Sequence, residues 1–534
     1  MVETVIHRKP KQGTSTSEQV ENEPQSDLVQ DMRMEKVRRK IEKIQCDILK
    51  EVDQKLSVMV EDILDEMEKE ASASSEFRQL FTEDVEVTAK KKQFRNGKLP
   101  DKEFLQRNSL LTDLLEVKHI RTIYHIFLVI MLMTFLNTLT HDFVDQGVIN
   151  IGVSPIFLGF NNFHYAFGVW IIMQIITFLV HPVFKLWANT RQIVPKNMRK
   201  PFDYFSIVAY ISYIIAFGYV FTYSTIVFKL APASSIAFLL EMTRFLMKTH
   251  AFVRSNIPRA LLPKFKEASE DKPGFYIPDF SKYLYFLFIP TLVYRDSYPR
   301  NKHIKWKFVA KCLLETVGII FYMSFIFERT LIPVFRDFGT ARIKSAAFVL
   351  QIFGCMMPAM LIFLSGFYLL LHCWMNAFAE MLRFADRMFY QDWWNATSFP
   401  DYYRTWNCVV HDWLYAYIYK DCYEHVFKKS KLWSMLAVFT VSSFVHEYII
   451  AFAFHFFYPV MLVLFQGIGV FVMFITNKEK NSIGNIFMWF SLILGNSLMM
   501  CLYNMEFNAR RNCEVGDSVI DYFIPVSWHC NGII

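Results

Sequence analysis

The sequence predicts an all-α polytopic membrane protein, and three observations carry that prediction. The first is composition: of 534 residues, 53% are hydrophobic and 17% aromatic, with 54 Phe. That much apolar and aromatic side chain suits a lipid-facing surface better than a soluble domain. The second is a series of nine apolar segments, each near the ~20 residues that cross a bilayer as a helix. The third is that Lys and Arg recur on alternate sides of those segments. The net charge of +7 is modest. Cytosolic loops account for it, no DNA or RNA motif accompanies it, and no nucleic-acid partner is expected.

Residues 1–33 are polar, rich in Gln, Glu and Ser, and lack an apolar core. They read as a disordered cytosolic tail without a signal peptide. Residues 34–70 form an amphipathic helix, with Met34, Val37, Ile41, Ile44, Ile48, Val52, Leu56, Met59, Ile63 and Met67 on one stripe. Such a stripe needs a partner, and self-association is the expected use. Packing on the same chain or lying on the membrane surface are the alternatives. A polar linker and membrane approach, 71–118, leads into the membrane domain, 119–534. The expected spans are 121–143, 163–187, 203–229, 233–252, 305–332, 343–374, 432–455, 457–475 and 484–505.

Basic residues follow the second, fourth, sixth and eighth spans, among them Arg191, Arg254, Arg387 and Lys478, whereas 144–162 contains no Lys or Arg. The expected amino terminus is therefore cytosolic and the carboxyl terminus lies across the membrane. Arg336, Arg342 and Lys344 run against this pattern. The nine cysteines include no CxxC and no set at zinc spacing. Cys513 and Cys530 share the short carboxyl-terminal tail. In an oxidising lumen they are expected to pair, the alternative being two free thiols.

The chemistry centres on His446, inside the apolar run from Leu436 to Ile450. An ionisable group at that depth is expensive and marks a functional site. The bland alternative is a hydrogen-bond partner between helices. Ser442 lies one turn earlier on the same face, and Glu447 points elsewhere. Neutral imidazole is the natural general base for an alcohol, and apolar burial is expected to keep it neutral. The preceding loop, 377–431, is rich in aromatic and polar groups. Asn407 and His411 are four apart, and the Asn amide is a candidate oxyanion donor. Arg404, Lys420 and Lys431 are candidates for phosphate contacts. An interfacial aromatic belt with basic flanks is the alternative for this stretch. The sequon Asn395-Ala396-Thr397 falls on the expected cytosolic side. There is no GxSxG, HExxH or Walker motif. No metal and no cofactor is expected, because a thioester is already activated.

The run Phe389-Tyr390-Gln391-Asp392-Trp393-Trp394-Asn395 resembles the FYxDWWN signature of the membrane-bound O-acyltransferases, in the branch that acylates cholesterol and diacylglycerol. The resemblance extends through Trp406-Asn407, His411-Asp412-Trp413 and His446-Glu447-Tyr448. It also takes in 119–125, 283–288, 294–300 and 372–380, and so covers nearly the whole membrane domain. The Tyr294-Arg295-Asp296-Ser297-Tyr298-Pro299-Arg300 and His411-Asp412-Trp413 versions are similar to the sterol-acylating members. Diacylglycerol enzymes usually carry His-Lys-Trp.

The resemblance implies a reaction chamber in the endoplasmic reticulum membrane. Acyl-CoA reaches it from the cytosol and cholesterol from the lipid bilayer. It implies transfer of a long-chain acyl group to the sterol 3β-hydroxyl, with diacylglycerol or a fatty alcohol as the alternative acceptor. A lipid transporter or an inactive sterol-sensing scaffold is the alternative outside this class. It makes His446 the catalytic histidine, assisted by Asn407 and His411. Arg404, Asp401, Tyr419, Lys431 and Ser442 would contact acyl-CoA, with Asp401 standing where the family pattern carries Asn. It links His119 to sterol, agrees with a Cys513–Cys530 disulfide, and implies a homodimer or homotetramer assembled through the amino-terminal helix.

Overall fold

The computed structural model describes residues 99–262, 275–340, 344–476, 482–514, 516 and 519–530. The expected tail 1–33, helix 34–70 and most of the linker lie outside the described residues. Among the described residues every regular element is helical, apart from two isolated bridges, Arg107–Asp386 and Arg300–Phe384.

Each of the nine expected spans falls on a helix. These are α1 Lys118–Gln146, α2 Phe163–Ile193, α3 Arg199–Val227 and α4 Pro232–Ala260. Then come α5 Trp306–Phe335, α6 Ser345–Met381, α7 Lys431–Phe454, α8 Val460–Thr476 and α9 Ser482–Asn512. Seven helices among the described residues are long and apolar enough to cross a membrane. The two that fall short are α4 and α8. Helix α8 is the shorter of the two, bounded by the Tyr458-Pro459 break.

Helix α4 carries charge because it holds another helix. Lys248 is 1% exposed, and its ammonium donates to the carbonyls of Phe286, Leu287 and Ile289 at 2.7, 2.9 and 2.7 Å. Those are the orphan acceptors at the end of the helix Phe280–Phe288, where a cation also meets the negative end of the dipole. Arg244 adds a bond to the Leu287 carbonyl and pairs with Glu241. A buried charge persists when each donor has a partner, and here all three ammonium hydrogens do.

The segments at the loop end of the bundle are stitched together by their backbones. Arg107 donates to the Ala385 carbonyl, Arg387 to Arg107, Asn301 to Arg383 and Ala385 to Pro299. A buried Arg387–Glu380 ion pair underlies them, and Glu380 also accepts from the Lys305 amide at 2.7 Å. The loop between α6 and α7 is therefore a packed platform. Phe389, Tyr390 and Trp393 are each 1% exposed.

Candidate active site

His446 projects from the middle of α7. Its Nδ1 lies 2.7 Å from the Ser442 carbonyl, one turn earlier. A carbonyl only accepts, so Nδ1 carries the proton and Nε2 of the neutral ring keeps its lone pair. That is the tautomer a general base needs. The imidazole is exposed rather than buried. The expectation of a buried ring is corrected here: the side chain is accessible, and the backbone bond selects the tautomer. The Phe465 ring of α8 stands beside it, 5.7 Å between centroids.

Glu447 points away, as expected, and is 2% exposed. Its carboxylate accepts from the Leu462 amide at 2.9 Å and the Tyr503 hydroxyl at 3.2 Å. The acceptor thus sits on free amides at the start of α8, where a helix favours an anion.

Asn407 is held at the seam between two short helices, Phe399–Trp406 and Cys408–Leu414. It does not share a helix with His411 but caps the helix that carries it. Its Oδ1 accepts from the Val410 amide at 3.1 Å, and its carbonyl accepts from His411 N at 3.0 Å. With Oδ1 engaged, the Nδ2 donors face away from the cap. The signature clamps the chain on both sides of this residue. Phe389 O accepts from Cys408 N, and Gln391 N donates to Thr405 O, both at 2.9 Å.

The aromatic members of the signature make that clamp rigid. Trp393 packs against Trp406 at 4.6 Å, Phe367 at 5.1 Å, Trp489 at 5.5 Å and Tyr402 at 5.9 Å. Tyr390 bonds His372 at 2.7 Å and Ser109 at 2.8 Å. The Trp394 carbonyl accepts from Asn485 and Trp489 of α9. Asp392 and Asn395 are exposed and bond each other.

The remaining expected contacts are distributed along the loop and α7. Tyr419 lies in a ladder of stacked rings, 5.7 Å from Tyr415 and 6.0 Å from Tyr423. Lys431 is exposed in the first turn of α7. It lies on the same helix as Ser442 and His446, about 22 Å from His446 at helical rise. Arg404 is exposed and pairs with Asp401 at 2.6 Å, and Asp401 also accepts from the Ser398 hydroxyl at 2.8 Å. Asp401 therefore completes the cap of its own helix. His119 is exposed in the first turn of α1, and no hydrogen bond or ring contact among the described residues joins it to this site.

Residues 99–109 lie across the platform. Lys102 pairs with Asp412 at 2.6 Å, and Asp101 with Lys420 at 2.6 Å. His411 Nδ1 is 3.8 Å from Asp412. Burial pushes the Asp412 carboxyl up, but the neighbouring His411 ring and the Lys102 ammonium outweigh it and hold it below the usual range. Asp101 is held low in the same way, burial being outweighed by Lys420 and Arg295. Burial pushes the Cys408 thiol up to about 11, so it is no nucleophile at neutral pH.

Three residues of the site were missed in the sequence: Tyr403, Phe465 and Gln466. The Tyr403 ring touches Phe465 at 5.2 Å and Phe439 at 5.0 Å, which links the Asn407 helix to the ring beside His446. Gln466 did carry a signal. It is a lone carboxamide in an apolar run, the same kind of anomaly that marks His446. In the tail, Cys513 and Cys530 are disulfide-bonded, with Cα atoms 6.3 Å apart.

Residues 156–505 match the model of the MBOAT, membrane-bound O-acyltransferase, family. The chain is 44% identical over 432 residues to sterol O-acyltransferase 1 of Chlorocebus aethiops, spanning 80% of this chain and 77% of that protein. It is 40% identical over 455 residues to sterol O-acyltransferase 1 of Mus musculus, spanning 84% and 83%. It is 38% identical over 433 residues to sterol O-acyltransferase 2 of Homo sapiens, spanning 80% of each.

Proposed function

The chain belongs to the membrane-bound O-acyltransferase family, and from that premise we propose that it is a sterol O-acyltransferase. It transfers a long-chain acyl group from acyl-CoA to the 3β-hydroxyl of cholesterol and releases CoA. The observation that carries the reading is the pair of committed atoms in the site. The Nδ1–H of His446 donates to the Ser442 carbonyl, which leaves Nε2 as base. The helix cap takes Oδ1 of Asn407, which leaves Nδ2 as donor.

In this mechanism Nε2 removes the sterol hydroxyl proton as the oxygen attacks the thioester carbonyl. Asn407 Nδ2 donates to the tetrahedral oxyanion. The C–S bond breaks and the leaving sulfur takes the proton back from the imidazolium. Holding both substrates in one chamber makes direct attack efficient, so no acyl-enzyme, metal or cofactor is required. His411 supports the Asn407 turn and stands beside Asp412, whose charge Lys102 balances. Tyr419, Arg404 and Lys431 suit the nucleotide and phosphates of CoA, and Ser442 its arm near the thioester. His119 we assign to the sterol's path.

We place the protein in the endoplasmic reticulum membrane, amino terminus cytosolic and carboxyl terminus lumenal, as a homodimer or homotetramer joined through 34–70. Alternating loop charge supports the orientation, and the tail disulfide fits an oxidising lumen.

The test is ester formation in detergent from labelled oleoyl-CoA with cholesterol, diacylglycerol or a fatty alcohol. Wild type should form cholesteryl oleate. His446→Ala should lose about 10²- to 10⁴-fold in rate while keeping its fold. Triacylglycerol or wax ester instead would move the acceptor, and an active His446→Ala enzyme would sink the mechanism.

A further inference from the structure

Helices α7 and α8 are joined by polar side chains at two levels. One is Glu447 on the Leu462 amide. The other is Gln466, whose Nε2 donates to Thr440 Oγ1 at 3.2 Å and whose Oε1 accepts from Ser443 Oγ at 3.1 Å. Ser443 is fully buried, and its hydroxyl also meets the Phe439 carbonyl of its own helix at 2.5 Å. Thr440, Ser443 and Glu447 recur at three and four residues, so they form one stripe of α7. His446 borders that stripe.

We propose that Gln466 is a positioning residue for His446: by bridging Thr440 and Ser443 it sets the rotation of α8 and holds Phe465 beside the imidazole. Three observations support this. Gln466 lies in a π-helical stretch, Val463–Gly469. The wider turn carries an extra residue and turns every later side chain, so the backbone alone does not fix which one meets α7. Phe465, the adjacent residue, is the ring against His446. The far side of the stretch is clamped too. A Cβ at Gly469 would come within 2.5 Å of the Tyr403 hydroxyl, so α8 has little room to turn that way. Tyr403 and Gln466 thus hold α8 from two sides, with Phe465 between them and the base. A pair of hydroxyls and an amide is an unusual grip for an apolar helix, and here it is placed one turn from the reacting nitrogen.

The inference rests on the acyltransferase reading, so the wild-type enzyme is the control: if it forms no ester, that reading fails rather than this one. Gln466→Leu removes both bonds at similar volume. It should lower kcat about tenfold, leave KM for oleoyl-CoA within about twofold, and move the acid limb of the kcat pH profile, which reports the imidazole. Thr440→Val with Ser443→Ala should reproduce the loss, and adding Gln466→Leu to that pair should cost nothing more. Gln466→Glu keeps the volume and an acceptor toward Ser443 but loses the Nε2 donor to Thr440, whose own hydroxyl hydrogen goes to the Leu436 carbonyl, so it should recover little of the rate. If Gln466→Leu loses its thermal transition in detergent, the Thr440→Val single variant takes its place with the same expected pattern. Additive losses, a raised KM at unchanged kcat, or an unmoved pH profile would overturn the proposal.

Discussion

The seven-residue signature and the reacting histidine are built in opposite ways. Phe389, Tyr390 and Trp393 are buried in a knot of rings. His446 is exposed, with one backbone hydrogen bond and one ring beside it. The long motif packs the loop, and in the proposed mechanism a single lightly held residue performs the proton transfer. A base must turn toward two substrates in succession, whereas the turn around Asn407 must not move. The clamp of Phe389 on Cys408 and Gln391 on Thr405 states that division in atoms.

Mutation can break this contrast. The largest effect is expected at His446→Ala, on rate alone. Trp393→Ala should do the reverse. Removing a fully buried indole costs about 3–5 kcal/mol, so folded yield and melting temperature in detergent should fall much further than the rate per folded molecule. A normal melting temperature with lost activity would make Trp393 part of the chemistry.

Asn407 belongs to both regions and can be split. Asn407→Asp keeps the oxygen that caps Val410 but loses the amide donors, so stability should hold while kcat falls about 10²- to 10³-fold. Asn407→Ala should add a loss of about 1 kcal/mol in stability. An active Asn407→Asp enzyme would leave the residue as a cap only.

The smallest effect concerns the strap, residues 99–109. Asp412 is held below its usual pKa in the folded protein. Its contribution is therefore complete above the unfolded carboxylate range, about pH 4, and is lost as pH falls through the depressed value. Proteolysis of the strap should accelerate below about pH 4 in wild type. Asp412→Asn should flatten that dependence by removing the contribution at neutral pH, so that its strap is cut at pH 7 about as fast as the wild type's is in acid.

Much of this was legible beforehand because bilayer physics is strict. A span must be apolar over its length, so the nine helical segments could be found, seven of them long and apolar enough to cross a membrane, and an ionisable residue inside one stands out. The signature was legible as a string of residues, but its role was not. Sequence spacing suggested that Asn407 and His411 share a helical face. The structure instead places Asn407 at the cap, a difference of one residue in a helix boundary that decides which amide atom is free. Asp401 and Arg404 were read separately as ligand contacts, and pairing across one turn joins them. The sequence reading treated 233–252 as an ordinary span, and only the structure shows Lys248 there binding the end of another helix.

The sequence by itself determined the helical membrane architecture and the family, and it singled out His446 as the candidate base, because hydropathy, composition and motif are properties of one strand of residues. Only the tertiary structure decided which nitrogen of His446 is free, which atom of Asn407 donates, and that Tyr403, Phe465 and Gln466 stand around the base. Those facts depend on hydrogen bonds within a helix turn and on rings brought together from distant segments. A linear pattern does not encode them until packing selects one register between helices.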